Sequence, residues 1–429
     1  MTMAISRRAV VLTATSLLAL AVFGTSAYIL HIGRTAQPPG APPSRDGWRP
    51  ATVDLGAPVS GVEESTSDLT ELKPHLTVHQ PNADRMRRYE FTPPIGDIMR
   101  IAYHRASGAL LMAVVEPDGL RSIWKLSADQ TYRRVLPENN LPGDIFLSVD
   151  SRDRLYAQFD NPGTLYRSAD AGETWKPVAR NIGGTFWTIA DDGRGTLWGT
   201  QHAENTAILY RSTDDGLSWQ AWRDFQQLYP EYAMTYATGD ARFRLRHLHA
   251  VAYVDGRLFV GTGDVARFTV MTTDGGASWR QVWDEGFTAA VPTAESDGLV
   301  LGPDRLRAHG LARYDFASNR TFEIWNPVPY NYAGYTYSVV QHNHVYLAAF
   351  HTEANEVQEL TSKSGIIASP DTVRWFPYFT VPALSNHART DMFLADTPDA
   401  VFLSYDGALF DFQPYDRWTY NMLKPFGQN

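Results

Sequence analysis

Three short segments constrain this chain more than anything else in it. They are Ser168-Ala-Asp170-Ala-Gly172-Glu-Thr174-Trp175, Ser212-Thr-Asp214-Asp-Gly216-Leu-Ser218-Trp219 and Thr272-Thr-Asp274-Gly-Gly276-Ala-Ser278-Trp279. Each follows a short apolar run and opens another, so each reads as a hairpin turn. The Asp carboxylate accepts from backbone N–H groups of the turn, Gly permits a positive φ, and Trp anchors the next strand in a core. Two weaker copies lack the glycine: Ser127-Ala-Asp129-Gln-Thr131-Tyr132, and Ser369-Pro-Asp371 followed by Trp375.

With the turns fixing the register, period-2 runs can be counted on either side of them. Residues 184–190, 196–200, 207–212 and 218–223 make one four-stranded unit, and 247–254, 257–262, 268–273 and 278–283 make another. The same template fits 97–136, 144–179, 288–326 and 335–380, while 389–413 holds only three strands. A strand at 87–93 would supply the missing fourth and hide both sheet edges. The expected fold is therefore an all-β propeller of seven four-stranded blades, with six or eight as alternatives.

The repeated Ser/Thr-x-Asp-x-Gly-x-Thr/Ser-Trp pattern resembles the Asp-box (BNR) repeat of the sialidase-like β-propellers. The resemblance implies that the motif is structural, lying on the face opposite the usual active site, so Asp170, Asp214 and Asp274 are expected to hold turns rather than substrate. Sialidase activity in that family starts from an arginine in a Tyr/Phe-Arg-Ile-Pro motif. This chain has Arg88-Tyr89-Glu90-Phe91 and Arg100-Ile101-Ala102 instead, so a true sialidase is not expected.

If the Asp turns join third and fourth strands, the opposite rim holds the starts of first strands and the turns after second strands. That rule collects His247, His249, His202 and His351, with Arg246, Tyr335, Tyr337, Trp187, Asp264, Arg305 and Arg389. Arg100, Asp144, Asp160, Asp304 and Asp391 fall in the same set. His247 and His249 lie two apart on a strand and so share a face. With His202 and His351 they make a candidate divalent-metal site, the one cofactor expectation the sequence raises. Alternatively, His247, His249 or His202 with Tyr337 and Arg246 could take a proton α to a uronate carboxylate, with Arg305, Arg389, Asp264, Tyr335 and Trp187 binding substrate. The bland alternative is a set of polar channel residues bonded to backbone and water. His342-Asn343-His344 falls on the wrong rim. The insertion at 224–245, carrying Tyr229, Tyr232, Tyr236 and Arg242, is a candidate ligand-facing loop.

Ahead of the blades, Arg7 and Arg8 precede residues 9–30, which are uncharged and apolar. About 20 such residues span a bilayer, so a retained anchor or a signal peptide is expected at 1–34, then a Pro-rich tether at 35–83 and the propeller at 84–429. The remainder would lie outside the cytoplasm, on the periplasmic or extracellular side. The net charge is −9, and about −12 beyond residue 34, which argues against nucleic acid and confines recognition of an acidic ligand to local arginine. The absence of Cys excludes thiolate metal sites and cysteine catalysis.

Two function classes stand at this point. One is a membrane-tethered, monomeric propeller enzyme that cleaves a glycan or acidic polysaccharide, as a polysaccharide lyase or glycoside hydrolase. The other is a non-catalytic propeller that binds a glycan or protein partner, such as an assembly factor.

Overall fold

Seven antiparallel sheets stand in a ring, in a computed structural model that describes residues 75–78, 86–139, 143–160, 163–203, 206–232, 245–304, 310–327, 329, 334–351, 363–382 and 391–414. The innermost strands are Asp97–His104, Ile145–Val149, Thr185–Asp191, Leu248–Val254, Phe287–Pro292, Tyr335–His342 and Met392–Asp396, the first strands of blades 1 to 7. Each touches the next, and the last returns to the first. The fold is a seven-bladed β-propeller.

Closure comes from the N-terminal side. Arg87–Thr92 pairs antiparallel with Ala408–Phe412, with Arg87 opposite Asp411 and Tyr89 opposite Leu409. It is the fourth strand of blade 7, as the sequence requires. The Arg87 guanidinium and the Tyr89 hydroxyl both bond the buried Asp411 carboxylate, which locks the seam. A further strand, His75–Val78, pairs with Arg87–Thr92 and makes this sheet five-stranded. The sheet thus reaches upstream of residue 84, into the stretch expected to be lead-in.

Blades pack face to face through side chains that alternate along their strands. Between blades 2 and 3, Tyr156, Phe186, Tyr210 and Trp219 form one such layer, with the Phe186 and Trp219 rings 5.4 Å apart and edge to face. The Asp turns join third and fourth strands, on the rim opposite the strand starts. In the second of them Ser218 N–H donates to Asp214 Oδ1 at 3.0 Å, Ser218 Oγ–H donates to Oδ2 at 2.6 Å, and Gly216 N–H donates to Ser212 Oγ at 2.9 Å. Gly216 sits at φ +77, where an added Cβ would also lie 2.1 Å from the Tyr156 hydroxyl. Glycine is therefore needed there for both conformation and packing.

The start of the 224–245 insertion is a one-turn helix, Phe225–Leu228, capped by Asp224. Tyr229 is buried and Tyr232 packs beside it on Phe268, so these two belong to the core rather than to a ligand. Tyr236 and Arg242 lie outside the described residues. Among the described residues no helix is long and apolar enough to cross a membrane, and residues 9–30 are not among them.

Candidate functional site

A cavity of about 410 Å³ opens on the rim of the strand starts. Five consecutive blades build it. Asp144 and Asp160 come from blade 2, His202 from blade 3, Arg246, His247, His249 and Asp264 from blade 4, Asp304 from blade 5, and Tyr335 and Tyr337 from blade 6.

The register of the first strands explains why these side chains reach inward. In five blades the pairing of the first and second strands slips near this rim: at 98/100, 186/189, 248/251, 287/289 and 335/338. A bulge re-aims the residues it contains, here Trp187, His249, Thr288 and Tyr337 among others. His247 and His249 are both 3% exposed, and their Nε2 atoms lie 2.9 Å apart. The His202 ring stands 4.2 Å from that of His247 and 5.4 Å from that of His249. One ring nitrogen from each of the three lies within 4.8 Å of the others.

Two carboxylates flank this cluster on different sides. Asp264 lies 3.4 Å from His247 Nε2 and 3.8 Å from His249 Nε2, and takes a 2.5 Å bond from Arg246 Nη1. Asp304 lies behind, buried, with Oδ2 at 2.9 Å from His249 Nδ1. Asp304 also accepts from Asp264 N–H at 3.3 Å and has Arg267 Nε at 3.7 Å. Arg267 in turn lies 3.8 Å from the buried Glu285.

Charge follows burial and neighbours. Burial opposes the charged form of His249, but the Asp304 carboxylate outweighs it and raises the imidazole above its ordinary value. His247 is lowered, chiefly by burial. His202 falls well below the ordinary value through burial and the two neighbouring imidazoles. Burial would raise Asp264, yet His247, His249 and Arg246 hold it far below the usual carboxylate range. Asp304 is likewise held down, against burial, by His249 and Arg267. Asp160 is raised by burial and by its neighbour Asp144.

Not every residue expected at the site is part of this convergence. His351 is fully buried, edge to face with Tyr337 at 4.1 Å and 3.8 Å from Asp391, and is outside the three-histidine group. Trp187, expected to touch substrate, is buried. Its ring is covered by the Arg100 guanidinium at 4.6 Å and stacks on His249, while its N–H donates to Thr288 O. What remains accessible of it lines an adjoining cavity rather than the three-histidine one. Arg305 and Arg389 lie outside the described residues. Arg100 and Asp391 line that adjoining cavity, of about 200 Å³, with Arg121 and Asp144, so the two cavities share one wall. Arg267 and Glu285 were not anticipated. Arg267 sits three residues past Asp264 in the same turn, and Glu285 just ahead of a first strand, so the rim rule extended by three residues would have reached both.

No protein-family model and no curated protein matches the sequence. The structural neighbours are seven-bladed propellers. A GH74 enzyme of Niastella koreensis superposes with a TM-score of 0.52 at 13% identity, over 75% of this chain and 53% of that one. A virginiamycin B lyase from Staphylococcus aureus, solved with quinupristin, gives 0.51 at 12% identity, over 79% and 98%. The WD40 repeats of RRP9 give 0.51 at 10% identity, over 78% and 99%. Identities this low show the fold alone, and enzymes and WD40 repeats share it equally.

Proposed function

We propose that this chain is an exported propeller enzyme that cleaves an acidic glycan at the five-blade cavity. It would act as a monomer, tethered to the membrane by residues 9–30. The Asp turns support placing it with the sialidase-like Asp-box propellers, on their opposite-rim position and their repeated hydrogen bonds.

The observation that carries the reading is the convergence of His202, His247, His249, Asp264 and Arg246 on one concave, largely polar space. Groups able to move protons and to stabilise negative charge meet where a sugar ring can enter. Arg246 here, and Arg100 and Arg121 in the adjoining cavity, are the groups that would meet a substrate carboxylate, among the aspartates that line the same walls. Tyr335 and Tyr337 line the same wall. Such a set suits elimination next to a uronate carboxylate, or hydrolysis of a glycosidic bond.

The test is a panel of uronate-containing polysaccharides incubated with the full chain in detergent. Unsaturated-uronate absorbance reports elimination and new reducing ends report hydrolysis. The proposal expects one of the two signals, lost in His247→Ala/His249→Ala. Neither signal from any polymer would overturn it. The second reading, a binding propeller, is favoured by the mutual pairing of Arg246, Asp264 and the histidines, which leaves these groups satisfied without a substrate. It predicts retention of a polymer or peptide without cleavage. Separation of membranes from soluble protein tests the anchor, which requires the chain in the membrane fraction until it is cut beyond residue 34.

A further inference from the structure

We propose that His202, His247, His249 and Asp264 bind one divalent first-row transition ion, such as zinc or manganese, with Asp304 as the residue that orients His249. This deepens the glycan-cleaving reading of the same cavity and rests on it only for what the ion would be used for.

Two imidazole nitrogens 2.9 Å apart must either share one proton or direct both lone pairs at a common centre. Metal–nitrogen bonds of about 2.1 Å put neighbouring donors about 3.0 Å apart in an octahedron and about 3.4 Å apart in a tetrahedron. Two separations here are of that size, 2.9 Å between the two Nε2 atoms and 3.4 Å from His247 Nε2 to Asp264. His249 Nε2 lies 3.8 Å from Asp264 and a ring nitrogen of His202 within 4.8 Å of both histidines, so Asp264 and His202 would close in on the ion. Imidazole with carboxylate is also the donor set that such ions take.

The surroundings favour the ligand role as well. Asp304 faces Nδ1 of His249, on the far side of the ring from the cluster. A carboxylate that close favours the proton on Nδ1 over Nε2 and so frees Nε2 to act as a donor to the ion, as carboxylates beside histidine ligands do in many metal centres. Asp304 is itself held by Arg267 and by the Asp264 N–H. Gly263 keeps the space open: a Cβ at that position would lie 2.3 Å from His249 Nε2, against the donor atom itself.

The full chain in detergent would be stripped with chelator, then offered Zn²⁺, Mn²⁺ or Co²⁺ and analysed for bound metal after dialysis. We expect one ion per chain and, with Co²⁺, visible bands from nitrogen ligation. His247→Ala/His249→Ala should lose the ion. Asp304→Asn should weaken it by about 10–100-fold. Gly263→Ala, which removes no ligand, should weaken it too, whereas His342→Ala on the opposite rim should leave it unchanged. Circular dichroism on each variant separates loss of metal from loss of fold, and Gly263→Ala and Asp304→Asn keep the test open should the double mutant not fold. Failure of the wild-type chain to retain any of the three ions would overturn the site. An ion bound with no polysaccharide cleaved would leave the site standing and remove the glycan reading. Cleavage by chelator-treated, metal-free protein would leave the glycan reading standing and overturn a catalytic use of the ion.

Discussion

His247-Leu248-His249 and His342-Asn343-His344 share a pattern but stand at opposite ends of their blades. The first pair opens an inner strand beside a bulge, and its rings meet a third imidazole from the preceding blade. In the second pair, His342 ends an inner strand and bonds Asp396 at 2.8 Å and Asn343 at 3.0 Å, while His344 is exposed in the turn. The spacing is the same, so spacing is not what makes a site. Position on the blade decides it, because only strand starts and second turns converge over the channel. The opposite rim uses its polar groups to close hairpins.

Under the proposed function, the largest effect that separates the rims is catalytic. Loss of both His247 and His249 should remove measurable polysaccharide cleavage, a drop of at least about 10²-fold if either proton transfer or charge stabilisation is lost. His342→Ala/His344→Ala should leave the rate within about twofold. Equal losses in the two double mutants would show that the rims are not functionally distinct.

Stability should separate them next. Asp304 is 2% exposed and faces both His249 and Arg267, so Asp304→Ala strands buried charge and should cost about 3–5 kcal/mol. Asp396→Ala also removes a partner from a histidine, but that carboxylate is partly open to water and the loss should stay below about 1 kcal/mol. Denaturant unfolding of the two variants measures the difference. Similar midpoints would mean that the buried pair is solvated far better than its surroundings imply.

The fold was largely legible because the Trp-bearing turns fix where third strands end. Once that is known, alternation places every blade and shows that the last needs a strand from Arg87–Thr92. His75–Val78 escaped notice because a four-residue edge strand has too short a pattern to stand out from its flanks. The site was legible to the level of a rim and less so to the level of a role. Alternation says which rim a residue occupies, but a slip such as 186/189 then turns Trp187 into the channel, where Arg100 and His249 cover it. The same alternation put His351 on the right rim without revealing that Tyr337 and Asp391 enclose it. Neither the long-range pairing of His249 with Asp304 nor that of Arg267 with Glu285 leaves any local trace in the sequence.

A smaller effect tests whether the turns of the opposite rim are structural. Gly216→Ala places a side chain at φ +77 and against the Tyr156 hydroxyl, so it should cost about 2 kcal/mol through strain and overpacking. Thermal unfolding should show the loss while cleavage by the remaining folded protein is unchanged. A variant as stable as the parent would mean that the turn relaxes without cost.

The smallest effect is in acid. Hydrogen bonds from Ser278 Oγ–H and N–H hold the Asp274 carboxyl down to about 2, with a smaller contribution from Thr272. A carboxyl lower in the folded than in the unfolded chain adds stability above its unfolded pKa, near 4, and the gain is lost as pH falls toward 2. Because Asp274 is largely exposed, solvent screening limits this to a few tenths of a kcal/mol. Asp274→Asn keeps the shape and removes the titration. The difference in unfolding midpoint between parent and variant should therefore shrink between about pH 4 and pH 2 and be constant above about pH 5. A difference that does not change with pH would assign the turn's contribution to shape alone, and the charge of its aspartate would play no part in holding that rim.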